Sequence, residues 1–240
     1  MELPPLKVNE KMPILKKTRM STGIMDLDII LEGGYQNPGN IMILGPNGTE
    51  KGVMGYQFIS NTNKTNEHAI ILTTDTKPKD MLEKIESFGM KLGENVSFID
   101  CYSATLGGRE IPESDEKITV VSGPGALNDI SLAMNEIVRK NRGKKIRIIF
   151  DSLSTLVLYN PKESIIKFLQ VVGGRLKSAD ATVLYIVEEG VHEKQVIGLL
   201  EHTMDEIYII SENAGKFEMR VPQVSIPIPI KLVPSGINLL

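Results

Sequence analysis

The sequence predicts one α/β domain: a mostly parallel central β-sheet with helices on both faces and a C-terminal antiparallel β extension. Three observations predict it. Apolar runs of strand length alternate with segments of helical periodicity over most of the chain, which is the pattern of crossover connections between parallel strands. A glycine-rich turn, Gly45-Pro46-Asn47-Gly48-Thr49-Glu50-Lys51-Gly52, joins the apolar run Ile41-Met42-Ile43-Leu44 to a helical segment starting near Val53. Two acids, Asp75 and Asp151, stand just past other predicted strands. Ligands bind such sheets at the carboxyl ends of the strands, so chain order alone brings the turn and both acids to one edge.

Taken in order, residues 1–20 carry Pro4, Pro5 and Pro13, and the cations Lys7, Lys11, Lys16, Lys17 and Arg19 against Glu2 and Glu10. They read as an irregular, locally basic arm, with the domain proper over 21–240. Leu27, Ile30 and Leu31 have helical spacing, and Gly33-Gly34 stops that helix. Asn37-Pro38-Gly39 is a turn before the strand that leads into the glycine-rich segment. The helix after that segment ends in the polar run 61–66. Residues 69–74 read as a buried strand ending at Asp75. Pro78 opens a helix to about Phe88, with Leu82 and Ile85 on its apolar face and Gly89 as its stop. Residues 96–100 are a strand, 103–116 a loop and 118–121 a short strand. Leu127, Ile130, Met134 and Ile137 make a helical stripe, and the Arg and Lys residues over 139–145 complement that helix's dipole.

A strand over 146–151 ends in Asp151. Ile165, Phe168, Leu169, Val172 and Leu176 line a long helix; 181–187 is another buried strand; Val196, Leu199 and Leu200 suggest a short helix. Residues 206–210 and 216–220 begin a terminal β region around a turn at Asn213-Ala214-Gly215. In the tail, Ile226, Ile228, Ile230 and Leu232 fall on one strand face and alternate with Pro227 and Pro229. A strand there reads as a sheet edge, with both prolines blocking one side.

Bulk properties narrow the function. At 240 residues, 41% hydrophobic and 24% charged, the chain has the make-up of one folded domain with a sizeable core. A net charge of −3, with 6 Phe, 6 Tyr and no Trp, offers no basic-aromatic platform, so nucleic acid is not expected as a partner. No apolar run approaches the ~18–20 residues that span a bilayer, so no membrane insertion is expected. The one cysteine, Cys101, precludes an internal disulfide and suits a reducing, cytoplasmic setting; it reads as a buried small hydrophobe.

The turn at 45–52 matches the phosphate-binding pattern G-x-x-x-x-G-K-[ST] except at two positions. In the intact pattern, backbone N–H groups and a helix N-terminus cradle phosphate oxygens, and the lysine neutralises them. Gly45 and Lys51 stand in their places. Glu50 replaces the second glycine, and Gly52 replaces the hydroxyl residue that would hold magnesium. At an effective dielectric near 20, a like charge ~4 Å away repels by about 4 kcal/mol before relaxation. Such a loop reads as a nucleotide or anion site with impaired metal binding, as a working hydrolase loop, or as a structural turn. Asp151 reads as a metal ligand through water or as a cap on the turn Ser152-Leu153-Ser154, and Asp75 as a base or a turn residue. Glu188-Glu189 reads as solvated loop, because adjacent side chains of an extended chain point apart. His68, His192 and His202 share no metal-ligand spacing and read as surface or packing residues.

Three segments in register resemble the KaiC-like branch of the RecA superfamily, including archaeal RadA paralogues. Ser21-Thr22-Gly23-Ile24, Leu27-Asp28, Ile30-Leu31 and Gly33-Gly34 resemble its S-T-G-I-x-x-L-D-x-I-L-x-G-G lead-in. The 45–52 turn resembles its G-P-x-G-T-G-K-[ST] loop, and Ile148-Ile149-Phe150-Asp151-Ser152-Leu153-Ser154 its Walker B strand. The resemblance covers roughly residues 20–210 and implies a RecA-like fold. It also implies a loop for ATP or ADP phosphates, magnesium held by the hydroxyl after the lysine and by the Walker B acid, and a water-activating acid near Asp75. The family's K-x-R-G segment, which reaches a neighbouring subunit's nucleotide, is expected near 219–224. This chain reads Met219-Arg220-Val221-Pro222-Gln223-Val224 there and lacks it.

The expectation is a protein that binds ATP or ADP weakly, with little or no hydrolysis, and acts as a regulatory or assembly factor by pairing with itself or a protein partner. An active ATPase in recombination, repair or signalling, and a nucleotide-free interaction protein, are the alternatives.

Overall fold

The apolar runs lie side by side in one sheet. The computed structural model describes residues 18–47, 51–64, 66–106 and 115–240. In chain order the strands are β1 (Thr18–Met20), β2 (Tyr35–Asn37), β3 (Gly39–Gly45), β4 (Glu67–Thr73), β5 (Val96–Asp100), β6 (Ile118–Val120), β7 (Lys145–Asp151), β8 (Ala181–Glu188), β9 (Glu206–Asn213), β10 (Lys216–Arg220), β11 (Ile228–Val233) and β12 (Gly236–Leu239). The helices are α1 (Met25–Ile30), α2 (Gly52–Ser60), α3 (Pro78–Ser87), α4 (Leu127–Lys140), α5 (Leu153–Tyr159), α6 (Lys162–Ser178) and α7 (Lys194–Glu201). The main sheet has the order β12-β11-β10-β9-β3-β8-β7-β4-β5-β6, and β1 and β2 form a separate pair. From β9 to β6 every pairing is parallel; β9 to β12 are joined antiparallel.

Strand alternation feeds two cores. Ile41 and Ile43 of β3 face one side with Ile71, Ile149 and Ile186, under α1, α2 and α3. Met42 and Leu44 face the other with Ile70, Phe150 and Tyr185, under α4, α5, α6 and α7. Both faces are covered, so these strands read as continuous apolar runs. Each fully buried Ile or Leu contributes about 1.5–3 kcal/mol.

The lead-in segment is structural. Asp28 Oδ1 accepts from the Thr22 N–H (2.6 Å) and hydroxyl (2.7 Å), while Oδ2 accepts from the Ser21 hydroxyl at 2.5 Å. Gly23 has φ +85°, and a Cβ there would lie 2.2 Å from the Gln57 carbonyl oxygen, so only glycine lets this box seat on α2.

The structure corrects two expectations. Residues 18–20, read as the end of an irregular arm, form β1 on β2; residues 1–17 lie outside the described residues. The tail strand β11 is not an edge. A turn after Val233 brings β12 back onto it, and Leu240 N–H donates to the Pro229 carbonyl at 2.9 Å. The missing donor of Pro229 therefore falls at the end of the ladder, where it costs little. The apolar stripe is split too: Ile228 and Ile230 are buried, while Ile226 is 72% exposed and Leu232 is 40% exposed. The turn at 213–215 is as expected, with Ala214 and Gly215 both at positive φ, the geometry of a tight hairpin.

Candidate functional site

The parallel strands all end at one edge, and two of them, β7 and β8, bring their last residues, Asp151 and Glu188, to the site. Register places Gly45 of β3 opposite Glu188 of β8, and Thr73 of β4 opposite Asp151 of β7. Asn47, Lys51 and Gly52 of the 45–52 segment line the cleft at this edge. Gly48, Thr49 and Glu50 lie outside the described residues, so the centre of the loop does too. Lys51 precedes the first turn of α2, and its side chain is buried. Its Nζ donates to the Pro46 carbonyl at 3.2 Å and lies 3.5 Å from Glu188 Oε1. Gly52, the first residue of α2, lines the same cleft.

Glu188, read from sequence as solvated loop, is instead the last residue of β8. Its own N–H donates to the Ser154 hydroxyl at 2.8 Å, which braces it from α5, and its side chain is 34% exposed. Only the adjacency of β3 and β8 reveals the pairing with Lys51. Glu189 follows the expectation: it is exposed.

Asp151 lines the same cleft, with Oδ2 3.6 Å from where a Cβ on Gly52 would stand. Burial pushes its pKa up, against the hydrogen bond that Tyr56 Oη donates to Oδ2 at 2.8 Å. The Asp75 charge pushes in the same direction as burial, and Lys84 and Lys51 oppose it. The peptide after Asp151 is pinned by Thr74. The Ser152 N–H donates to the Thr74 hydroxyl at 2.9 Å, and the Thr74 N–H donates to the Asp151 carbonyl at 3.1 Å. Ser152 also caps α5, accepting from Thr155 N–H at 3.3 Å. Asp151 thus adjoins the cap but does not form it. Asp75 is exposed, accepting a hydrogen bond from the Thr76 hydroxyl at 3.1 Å.

Together Asn47, Lys51, Gly52, Tyr56, Asp75, Thr76, Lys84, Asp151 and Glu188 line a cleft of about 210 Å³. Larger clefts lie elsewhere, about 540 Å³ beside α4 and α6 and about 760 Å³ around Arg139 and Arg175. The smaller one is the chemical candidate because buried charges of both signs converge there. Cys101 is fully buried and its thiol is pushed up to about 12, an inert packing residue. Among the described residues no group of three or more His, Cys, Asp or Glu is placed to hold a metal ion, and no helix is long and apolar enough to cross a membrane.

Comparisons agree with this architecture. The family described as "ATPase: KaiC" matches residues 20–221. A UPF0273 protein of Thermotoga maritima is 27% identical over 197 residues, covering 79% of this chain and 78% of that one. The circadian clock oscillator protein KaiC of Parasynechococcus marenigrum is 28% identical over 157 residues, 65% of this chain and 28% of that one. The crystal structure of a KaiC-like protein from Pyrococcus horikoshii superposes with a TM-score of 0.71 at 18% identity, covering 93% of this chain and 99% of that one.

Proposed function

Because the chain belongs to the KaiC ATPase family, we propose that it binds ATP or ADP weakly at the 45–52 loop, hydrolyses it little or not at all, and acts as a regulatory or assembly factor. The observation that carries this reading is Lys51. The phosphate-neutralising lysine is present, buried and aimed into the cleft, but it rests against Glu188. A nucleotide phosphate must displace that carboxylate to reach it, and this weakens binding. Two features argue for low turnover. Gly52 has no hydroxyl to hold magnesium, and Asp75, at the place of the family's water-activating acid, is one methylene shorter. Assembly with a second copy is supported by the exposed apolar residues Ile226, Leu232 and Leu240 at one end of the sheet.

Calorimetric titration with ATP and ADP, alongside a phosphate-release assay, is the test. The expected result is a dissociation constant of about 0.1–1 mM, equivalent to about 4–5.5 kcal/mol, lost in Lys51→Ala, with no steady phosphate release. Sustained magnesium-dependent release that Lys51→Ala abolishes would overturn the reading and make the protein an active ATPase.

A further inference from the structure

The family's loop implies a magnesium ion, and the residues here do not fit one. Such an ion takes oxygen ligands at close to octahedral geometry. Gly52 brings no side-chain oxygen. Space does not explain this: a Cβ on Gly52 would lie 3.6 Å from Asp151 Oδ2 and 3.4 Å from Tyr56 Oη, ordinary contact distances. What occupies the neighbourhood is Tyr56. Positions 52 and 56 are one helical turn apart, so both face the same way on α2, and both face Asp151. The Tyr56 ring is 1% exposed, and its hydroxyl donates to Asp151 Oδ2 at 2.8 Å. A hydrogen bond from a neutral donor to a buried carboxylate is of the strong, charge-assisted kind. An ion reaching that oxygen would have to expel the phenol O–H from it.

We propose that Tyr56 stands in for the metal: its hydroxyl supplies the partner that Asp151 would otherwise find in the ion, so that the site takes nucleotide phosphates without a divalent cation. This rests on the reading that the 45–52 loop binds phosphate. Position 52 and position 56 act as one exchange, in which the small residue forgoes the oxygen and the large one returns it from the next turn. The positive charge facing the phosphates then comes from side chains. Lys51 is one source, and Lys84 the other: it lines the same cleft, with its Nζ 5.7 Å from the Tyr56 ring centroid. Tyr56 is a positioning residue here, holding Asp151 rather than touching the ligand.

The experiment compares wild type, Tyr56→Phe and the double variant Gly52→Thr/Tyr56→Phe. Calorimetry measures ADP affinity in magnesium and in chelator, and electron paramagnetic resonance follows Mn²⁺ added with ADP. Wild type is expected to bind ADP with equal affinity, within about threefold, in both conditions. The double variant is expected to prefer magnesium by about tenfold or more and to immobilise Mn²⁺. A tenfold magnesium preference in wild type that survives Tyr56→Phe overturns the proposal. A wild type that binds no nucleotide in either condition overturns instead the reading it rests on, and a thermal double-mutant cycle then decides the inference alone. Tyr56→Phe is expected to lower Tm by about 2–6 °C by stranding the Asp151 charge, and Asp151→Asn in that background to recover the loss. A Tyr56→Phe protein that melts with wild type overturns it.

Discussion

Helix α2 has a cation–glutamate pair at each end, and the two pairs are built to opposite specifications. Near its C-terminus, Arg147 of β7 pairs with Glu67 of β4, with side chains 2% and 7% exposed. The same guanidinium donates to the Ser21 carbonyl at 2.6 Å and the Phe58 carbonyl at 3.1 Å, and lies 4.7 Å from the Phe58 ring centroid. Its Nε and Nη1 donors are engaged by β4, the lead-in and the end of α2, where a cation also complements the helix dipole. At the N-terminus, Lys51 has one backbone acceptor and a carboxylate at 3.5 Å whose side chain is a third exposed. The first pair is a joint. The second is the looser contact, and the proposed reading needs its lysine to trade the carboxylate for a phosphate.

The largest effect that would break this contrast is on stability. Arg147→Met leaves Glu67 buried without its cation. Losing one partner of a buried pair costs about 3–5 kcal/mol, so Tm is expected to fall by roughly 10 °C or more, whereas Lys51→Met is expected to move it by only a few degrees. Differential scanning calorimetry decides it; equal losses in the two variants would erase the distinction between joint and exchangeable pair.

The closed end also makes a pH prediction. His68 neighbours Glu67 on β4. It is buried, with Nε2 3.0 Å from the Ser97 hydroxyl and Nδ1 lacking a hydrogen-bond partner among the described residues. Burial, with Lys144 adding to it, pushes its pKa down to about 4. The unfolded chain therefore takes up a proton first, near pH 6.5. The stability is fully present above that pH and is lost as pH falls through 6.5 toward 4, by about 3 kcal/mol across the window. Asp151, shifted upward, acts in the opposite sense, so the readout is the difference between wild type and His68→Asn. Denaturant midpoints at pH 7 and pH 4.5 are expected to converge in the variant; an unchanged gap would place the acid sensitivity elsewhere.

What could be read from the chain follows from the range of the interactions. The strands of the parallel sheet and the helix stripes are local patterns and form at the expected positions, whereas β1, β2, β12 and α5 were not expected, and the centre of the 45–52 loop lies outside the described residues. The lead-in motif was legible as a resemblance, but its cause was not, because the Gln57 carbonyl that forbids a Cβ on Gly23 belongs to a later helix. Arg147 lay in plain sight between Ile146 and Ile148: a charge inside a buried run is itself a signal of a buried partner, yet the partner is 80 residues away. Nothing local sets Tyr56 apart within its helix, and Glu188 reads as solvated loop, because the order of strands in the sheet is not written locally. The edge-strand reading of Pro227 and Pro229 failed for the converse reason: the four residues of β12, too short and weakly patterned to announce a strand, cover β11.

The smallest expected effect sharpens the contrast most. If the Lys51–Glu188 contact is a gate that phosphate must open, neutralising Glu188 should strengthen binding, although it removes an interaction of the empty protein. Glu188→Gln keeps the side chain's size and the backbone N–H bond to Ser154, so the brace from α5 survives. The pair is partly exposed, and such pairs contribute only about 0–1 kcal/mol; stability should hardly move. Phosphate, however, no longer competes with a carboxylate for Lys51 and no longer approaches a like charge. Calorimetry is expected to give an affinity for ADP about three- to tenfold higher than wild type, a gain that shrinks in high salt as the repulsion is screened. Weaker binding in Glu188→Gln would mean that the carboxylate holds Lys51 in its productive position, and the N-terminal pair of α2 would then be a second joint, not an exchangeable contact.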